Sequence, residues 1–251
     1  MAPDIYHLQL DRGLALAWVN SYSAVVVRTP GATLLFDPVS LRVPEDVSLD
    51  LIAVSHGHSD HWDQGLVAEL LQRTGAVVAA SPFLASRLNR SGPGQVAPAS
   101  KGVGGVAAML PGDQLRIGDV TVAALRCDHA VTQPLAFLVR TTDNLTVYLP
   151  GDSTPFPGMS CLGSRKAASS EDDFSNPGPE SGPDVMLWMG TALGDGARIA
   201  ELVRPKVLVT YAIAPPAAGA RAQRILTRLT PEVQFHALER HQVFLYPPGV
   251  S

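Results

Sequence analysis

The stretch "DLIAVSHGHSDHWDQGLVAELLQRTG", residues 50–75, constrains the chain more than any other. It opens on an apolar β-type run and closes on a segment with Leu66, Leu70 and Leu71 at helical spacing; between them stand His56, His58, Asp60 and His61. Asp63 occupies an N-cap position and Gly75 a helix stop, so the local expectation is strand, loop, helix. The fold must therefore bury a strand and the helix after it while gathering four metal-binding side chains on the loop that joins them. Imidazole nitrogen and carboxylate oxygen both bind zinc-like cations, and three of the chain's 7 histidines fall in this loop. A solvated polar turn is the bland alternative, and such clustering argues against it.

The rest of the chain supplies matching elements in two series. "LALAWV" (14–19), "AVVVR" (24–28) and "ATLLFD" (32–37) are separated by short turns and suit an antiparallel meander. "AVVAAS" (76–81) and a short helix from Pro82 to Asn89 follow the histidine loop. The Gly/Pro/Ser-rich linker "RSGPGQVAPASKGVGG" comes next; its glycines are not followed by Lys-Ser/Thr, so it is no phosphate loop. The second series is "VAAML" (106–110), "DVTVAAL" (119–125), "LAFLVR" (135–140), "LTVYLP" (145–150), "DVMLWM" (184–189) and "KVLVTYA" (206–212). Helices are expected near 197–203 and 220–229, and strands at "VQFHAL" and "VFLYP". Two sheets with helices outside is the arrangement these runs predict. The 251 residues read as a single domain, with a long flexible loop or lid at about 155–183, where Ser, Gly, Pro and charge dominate.

Composition narrows the partners. Nineteen Lys+Arg against 23 Asp+Glu, a formal charge of -4, provide no basic stripe for a phosphate backbone. Neither a signal peptide nor an apolar run of membrane-spanning length is visible, so the reading is a cytoplasmic protein acting on a small molecule, with no nucleic acid and no membrane. Oligomeric state is left open. Two cysteines, Cys127 and Cys161, make no disulfide framework.

"HGHSDH" matches the H-x-H-x-D-H signature of the metallo-β-lactamase superfamily, and "LLFDP", "IAVSHGHSDHWD" and "LTVYLPGDS" resemble its successive landmarks in the right order. The overall pattern is most similar to the branch of ascorbate-6-phosphate lactonase and related phosphodiesterases. The resemblance implies a four-layer αββα sandwich, an α/β fold with two metal positions. One would be held by His56, His58 and His129 of "LRCDHAV"; the other by Asp60, His61 and the bridging Asp152 of "YLPGDST". It also implies Zn2+, one ion or two, with Mn2+ or Fe2+ as alternatives, and Asp60 as the catalytic carboxylate beside a metal-activated hydroxide.

Two departures stand out. The histidine that usually completes the second position after "PKVLV" is missing: "KVLVTYAIAPPAAGAR" offers Tyr211, Ala212, Pro215 and Pro216. Ser21 stands about where the branch has an early histidine. His236, His241, Cys161 and Tyr211 are the candidate replacements, and Tyr211 and His241 the candidate substrate contacts. The expected function is a metal-dependent hydrolase of a small ester, lactone or phosphodiester. The alternatives are a biosynthetic enzyme that uses a mononuclear or weakened dinuclear site for dehydration, cyclisation or decarboxylation, and a catalytically silent metal-binding protein.

Overall fold

The computed structural model describes residues 4–90, 104–163, 182–190, 193–212 and 216–249. The first sheet begins with β1 (Leu14–Trp18), β2 (Val25–Arg28) and β3 (Thr33–Phe36), which pair antiparallel in chain order as the short turns require. The chain then changes mode. β4 (Leu51–Ala53) and β5 (Val77–Ala80) join in parallel through the crossover helix α1 (Gln64–Thr74), and α2 (Pro82–Arg90) precedes β6 (Gly105–Ala108), also parallel. The Asp63 side chain accepts from Leu66 N at 3.0 Å, and Gly75 stops α1 at φ 69 with its N–H on Leu71 O, the two helix signals read from the sequence.

The second sheet is built from β7 (Gln114–Ile117), β8 (Val120–Arg126), β9 (Leu135–Thr141) and β10 (Thr146–Leu149), all antiparallel. It continues in parallel through β11 (Val185–Met189), α3 (Leu193–Val203), β12 (Val207–Tyr211), α4 (Pro216–Leu229) and β13 (Gln234–Ala237). β14 (Val243–Tyr246) crosses back to pair with β1, so among the described residues each sheet has seven strands. One apolar layer, with Leu34, Phe36, Phe137, Val147 and Leu187, lies between the sheets; two more lie outside, under α1 and α2 on one face and under α3 and α4 on the other. The central strands bury both faces, which is why they read as continuous apolar runs. This is the αββα sandwich.

The sequence expectation of a loose loop over 155–183 needs correction at its start. Pro157–Gly163 is a 3-10 helix, and its Met159 and Leu162 are fully buried in the layer that holds Ile199 and Val203 of α3. Two apolar side chains spaced three apart on a 3-10 turn fall on one face, and burying them anchors the segment. Residues 164–181 of the expected lid lie outside the described residues.

Candidate metal centre

The candidate ligands gather at the ends of strands from both sheets. The β4–α1 loop carries His56, His58, Asp60 and His61, the loop after β8 carries His129, and the turn after β10 carries Asp152. Gly151 makes that turn at φ +60, in the left-handed region where a side chain is disfavoured. The loops are tied to one another. Leu135 N donates to Ser55 O at 2.8 Å, Asp128 N to Ser153 Oγ at 2.9 Å and Thr154 N to Asp128 O at 2.7 Å.

The nitrogens converge. His58 Nδ1 lies 3.1 Å from His56 Nε2 and 3.2 Å from His129 Nε2. Donors of His56, His58, His129 and Asp152 all fall within 4.8 Å of one another. Four nitrogen ligands at zinc distances in a tetrahedron stand about 3.3 Å apart, so the imidazoles already have the spacing such an ion needs. His61 Nε2 lies 3.4 Å from Asp152 Oδ1 and 4.0 Å from Asp60 Oδ2. That nitrogen is buried and has no hydrogen-bond partner, a state that costs energy unless something is bound there. The residues present fit a metal ion.

Hydrogen bonds behind the site orient the rings of His56 and His61. Ser55 Oγ donates to Asp37 Oδ2 at 2.8 Å and so accepts from His56 Nδ1 at 3.0 Å, which leaves the Nε2 lone pair facing the cluster. His61 Nδ1 donates to Asp37 Oδ2 at 2.9 Å, which turns Nε2 toward Asp152 and Asp60. Asp37 also accepts from Ser55 N at 2.7 Å. Burial, then the charge of His61, holds His56 down to about 4, so its imidazole stays neutral. Burial opposes the charge on His61, yet the Asp37 and Asp152 carboxylates outweigh it and raise that group to about 10. His129 is lowered, chiefly by burial, and Asp152 is lowered by the neighbouring histidines although burial works against it.

Asp37 is the functional residue that sequence reasoning left without a role. Its signal was there: an aspartate after a fully buried strand and before a proline, held here at φ 49.

The other candidates divide. Cys161 sits on the 3-10 helix against the α3 layer, outside the metal cluster. His236 pairs in register with Val209 in the middle of β12 and packs its ring 4.9 Å from Phe244, with Nε2 buried and unpartnered, away from the ligand loops. Tyr211 is buried at the end of β12; it lines a small internal cavity with Ser23, Asp37, Ser55 and Gly151. Burial holds its phenol protonated. His241 is exposed on the β13–β14 connection. Ala212, after Tyr211, is left-handed at φ 57, and residues 213–215 lie outside the described residues.

Comparison with known proteins agrees with this geometry. The family described as "Beta-lactamase superfamily domain" matches residues 19–169. Among curated relatives, a metal-dependent hydrolase of Shouchella clausii is 27% identical over 195 residues, covering 69% of this chain and 81% of that protein. One of Geobacillus thermodenitrificans is 28% identical over 196 residues, covering 69% and 80%. In three dimensions, the metallo hydrolase Igni18 of Ignicoccus hospitalis overlays with a TM-score of 0.68 at 18% identity, covering 93% of this chain and 98% of its own. YhfI of Bacillus subtilis, a metallo-beta-lactamase fold protein, gives 0.69 at 16%, covering 94% and 100%. The chain belongs to the beta-lactamase superfamily.

Proposed function

We propose that the protein is a metal-dependent hydrolase of small esters, lactones or phosphodiesters, with zinc as its ion. The observation that carries this reading is the convergence of three imidazole nitrogens, 3.1 and 3.2 Å apart, beside Asp152. Relatives that match most of their length to this chain are named metal-dependent hydrolases. A divalent ion bound there supplies Lewis acidity, acidifying water and polarising a carbonyl or phosphoryl oxygen.

The chain's own residues do the rest. His56, His58, His129 and Asp152 would hold an ion at the first position, while His61 and Asp152, with Asp60 beyond them, would face a second. Ser55 and Asp37 fix the His56 and His61 rings from behind, so Nε2 of each faces the site before anything binds. Asp60, with its side chain 44% exposed, is the carboxylate open enough to take a proton from water and deliver it to a leaving group.

One observation favours a second reading. The single group of converging donors among the described residues leaves out Asp60 and His61. A site that fills with one ion would suit Lewis-acid chemistry other than hydrolysis. The test is metal analysis of the purified protein, then a panel of ester, lactone and phosphodiester substrates during zinc titration. We expect turnover to rise with zinc, and replacement of both His56 and His58 by Ala to abolish tight binding. Wild-type metal content in that double variant, or no turnover of any substrate class by the loaded protein, would overturn the proposal.

A further inference from the structure

Two connections meet beside the metal centre: the β1–β2 loop, residues 19–24, and the β13–β14 turn, residues 238–242. β1 runs parallel to β3 and β4, and β13 parallel to β12, so both connections leave the same end of the sandwich as the ligand loops. The first touches the site directly, because Ser23 Oγ donates to Asp60 O at 2.5 Å. The second is pinned onto the first: His241 N donates to Trp18 O and Arg240 Nη1 to Ser21 Oγ, each at 2.8 Å. Gln242 closes the turn through both its side chain and its backbone to Glu239.

The turn holds costly features in place. His241 sits at φ 65, in the left-handed region that few residues with a side chain occupy. Arg240 has no carboxylate partner among the described residues, although Glu239 precedes it and the whole chain carries a net charge of -4. Tyr22, whose backbone carbonyl accepts from Trp18 Nε1 at 2.7 Å, is 46% exposed on the same loop. A guanidinium held, among the described residues, only by Ser21, an exposed histidine and an open aromatic ring thus lie on the two connections joined to the Asp60 loop through Ser23.

We infer that Arg240 and His241, with Tyr22 beside them, form a subsite for an anionic oxyacid group, phosphate or carboxylate, on the substrate. The inference rests on the hydrolase reading and names the substrate class for that site. The guanidinium fork matches the paired oxygens of either anion, and Tyr22 offers an apolar face to the rest of a small substrate. Ser21 holds the guanidinium through one of its nitrogens, leaving the other N–H groups for a ligand.

The test uses the zinc-loaded full chain and a matched pair of esters, phenyl acetate and 4-acetoxybenzoate, which differ by one carboxylate. Arg240→Ala should lower the ratio of kcat/KM for the charged ester over the neutral one about tenfold, and Arg240→Lys should recover part of it. Arg198→Ala, a remote arginine paired with Glu201 on α3, should leave the ratio alone. Calorimetric binding of phenylphosphonate gives a readout apart from turnover and should weaken about tenfold in Arg240→Ala, with His241→Asn as a second variant in the same direction. An unchanged ratio and unchanged phosphonate affinity would overturn the subsite while leaving the hydrolase reading intact. If neither ester turns over, the phosphonate arm decides the subsite, and the full panel of esters, lactones and phosphodiesters decides the hydrolase reading.

Discussion

Raising the pH from 7 to 9 should tighten the binding of metal at His61 by up to about tenfold per pH unit while leaving the His56 side of the site nearly unaffected. His61 folds as an imidazolium, because Asp37 and Asp152 outweigh its burial and lift it to about 10. An ion can ligate Nε2 only after that proton leaves. At pH 7 the displacement costs about 4 kcal/mol, a thousandfold in apparent affinity, and each unit of pH removes a factor of ten. An ion already held by His56, His58 and His129 repels the imidazolium and lowers its pKa, so about 4 kcal/mol is an upper bound. His56 has the opposite starting point: burial holds it down to about 4, it is neutral at pH 7, and it gives up no proton. Zinc calorimetry at pH 7, 8 and 9 in buffers of different ionisation enthalpy reads the protons released. We expect about one proton tied to His61, abolished by His61→Asn with the tighter ion retained. Equal proton release in that variant, or an affinity flat in pH, would refute the reasoning.

Further outcomes follow from the same contacts. Asp152→Ala should lower metal content at both positions, since its carboxylate lies toward both His56 and His61, whereas Asp60→Asn should keep the tight ion and reduce turnover; elemental analysis beside kinetics separates them. In the metal-free protein, His56 stabilises the fold fully above pH 6.5. Its folded value lies near 4, so that stability is lost as the pH falls from 6.5 toward 4, by up to about 3 kcal/mol. Urea unfolding in chelator at pH 7 and pH 4.5, with His56→Gln as the variant that removes the slope, checks the sign. Asp184 accepts from Thr146 N at 2.8 Å and from Lys206 Nζ at 2.7 Å at the far end of β11, so Asp184→Ala should cost about 2–4 kcal/mol in denaturant without changing metal content.

Much of this architecture could be read from the chain because its signals are local. The N-cap at Asp63, the stop at Gly75 and the HGHSDH loop each lie within a few residues of what they determine. His129 and Asp152 became readable as ligands only through their order after successive strands. What escaped depends on contacts far apart in sequence. β7 is a four-residue strand with only Ile117 fully buried, too short and polar to show an apolar run. β14 leaves the second series to pair with β1, a partner more than two hundred residues away that no local pattern names. Asp37 was quoted as a landmark, yet its work on His61 and Ser55 spans 24 and 18 residues.

The same long-range wiring makes the two proposed metal positions unequal. The first draws its imidazoles from both sheets, His56 and His58 from the loop after β4 and His129 from the loop after β8, so an ion there would cross-link the halves of the sandwich. Its donors already stand at ligand spacing, and the Ser55 backbone is bonded to β9 behind them. The second rests on His61 and Asp152, with Asp60 4.0 Å from His61 Nε2 and half open to solvent. On that side the wall is Tyr211, buried and protonated, followed by Ala212, neither of which offers an anionic or imidazole donor. A position with fewer donors and a proton to displace must bind more weakly than one with four converging donors and neutral His56. Occupancy of the weaker position, rather than the presence of metal as such, is therefore the variable on which turnover should depend.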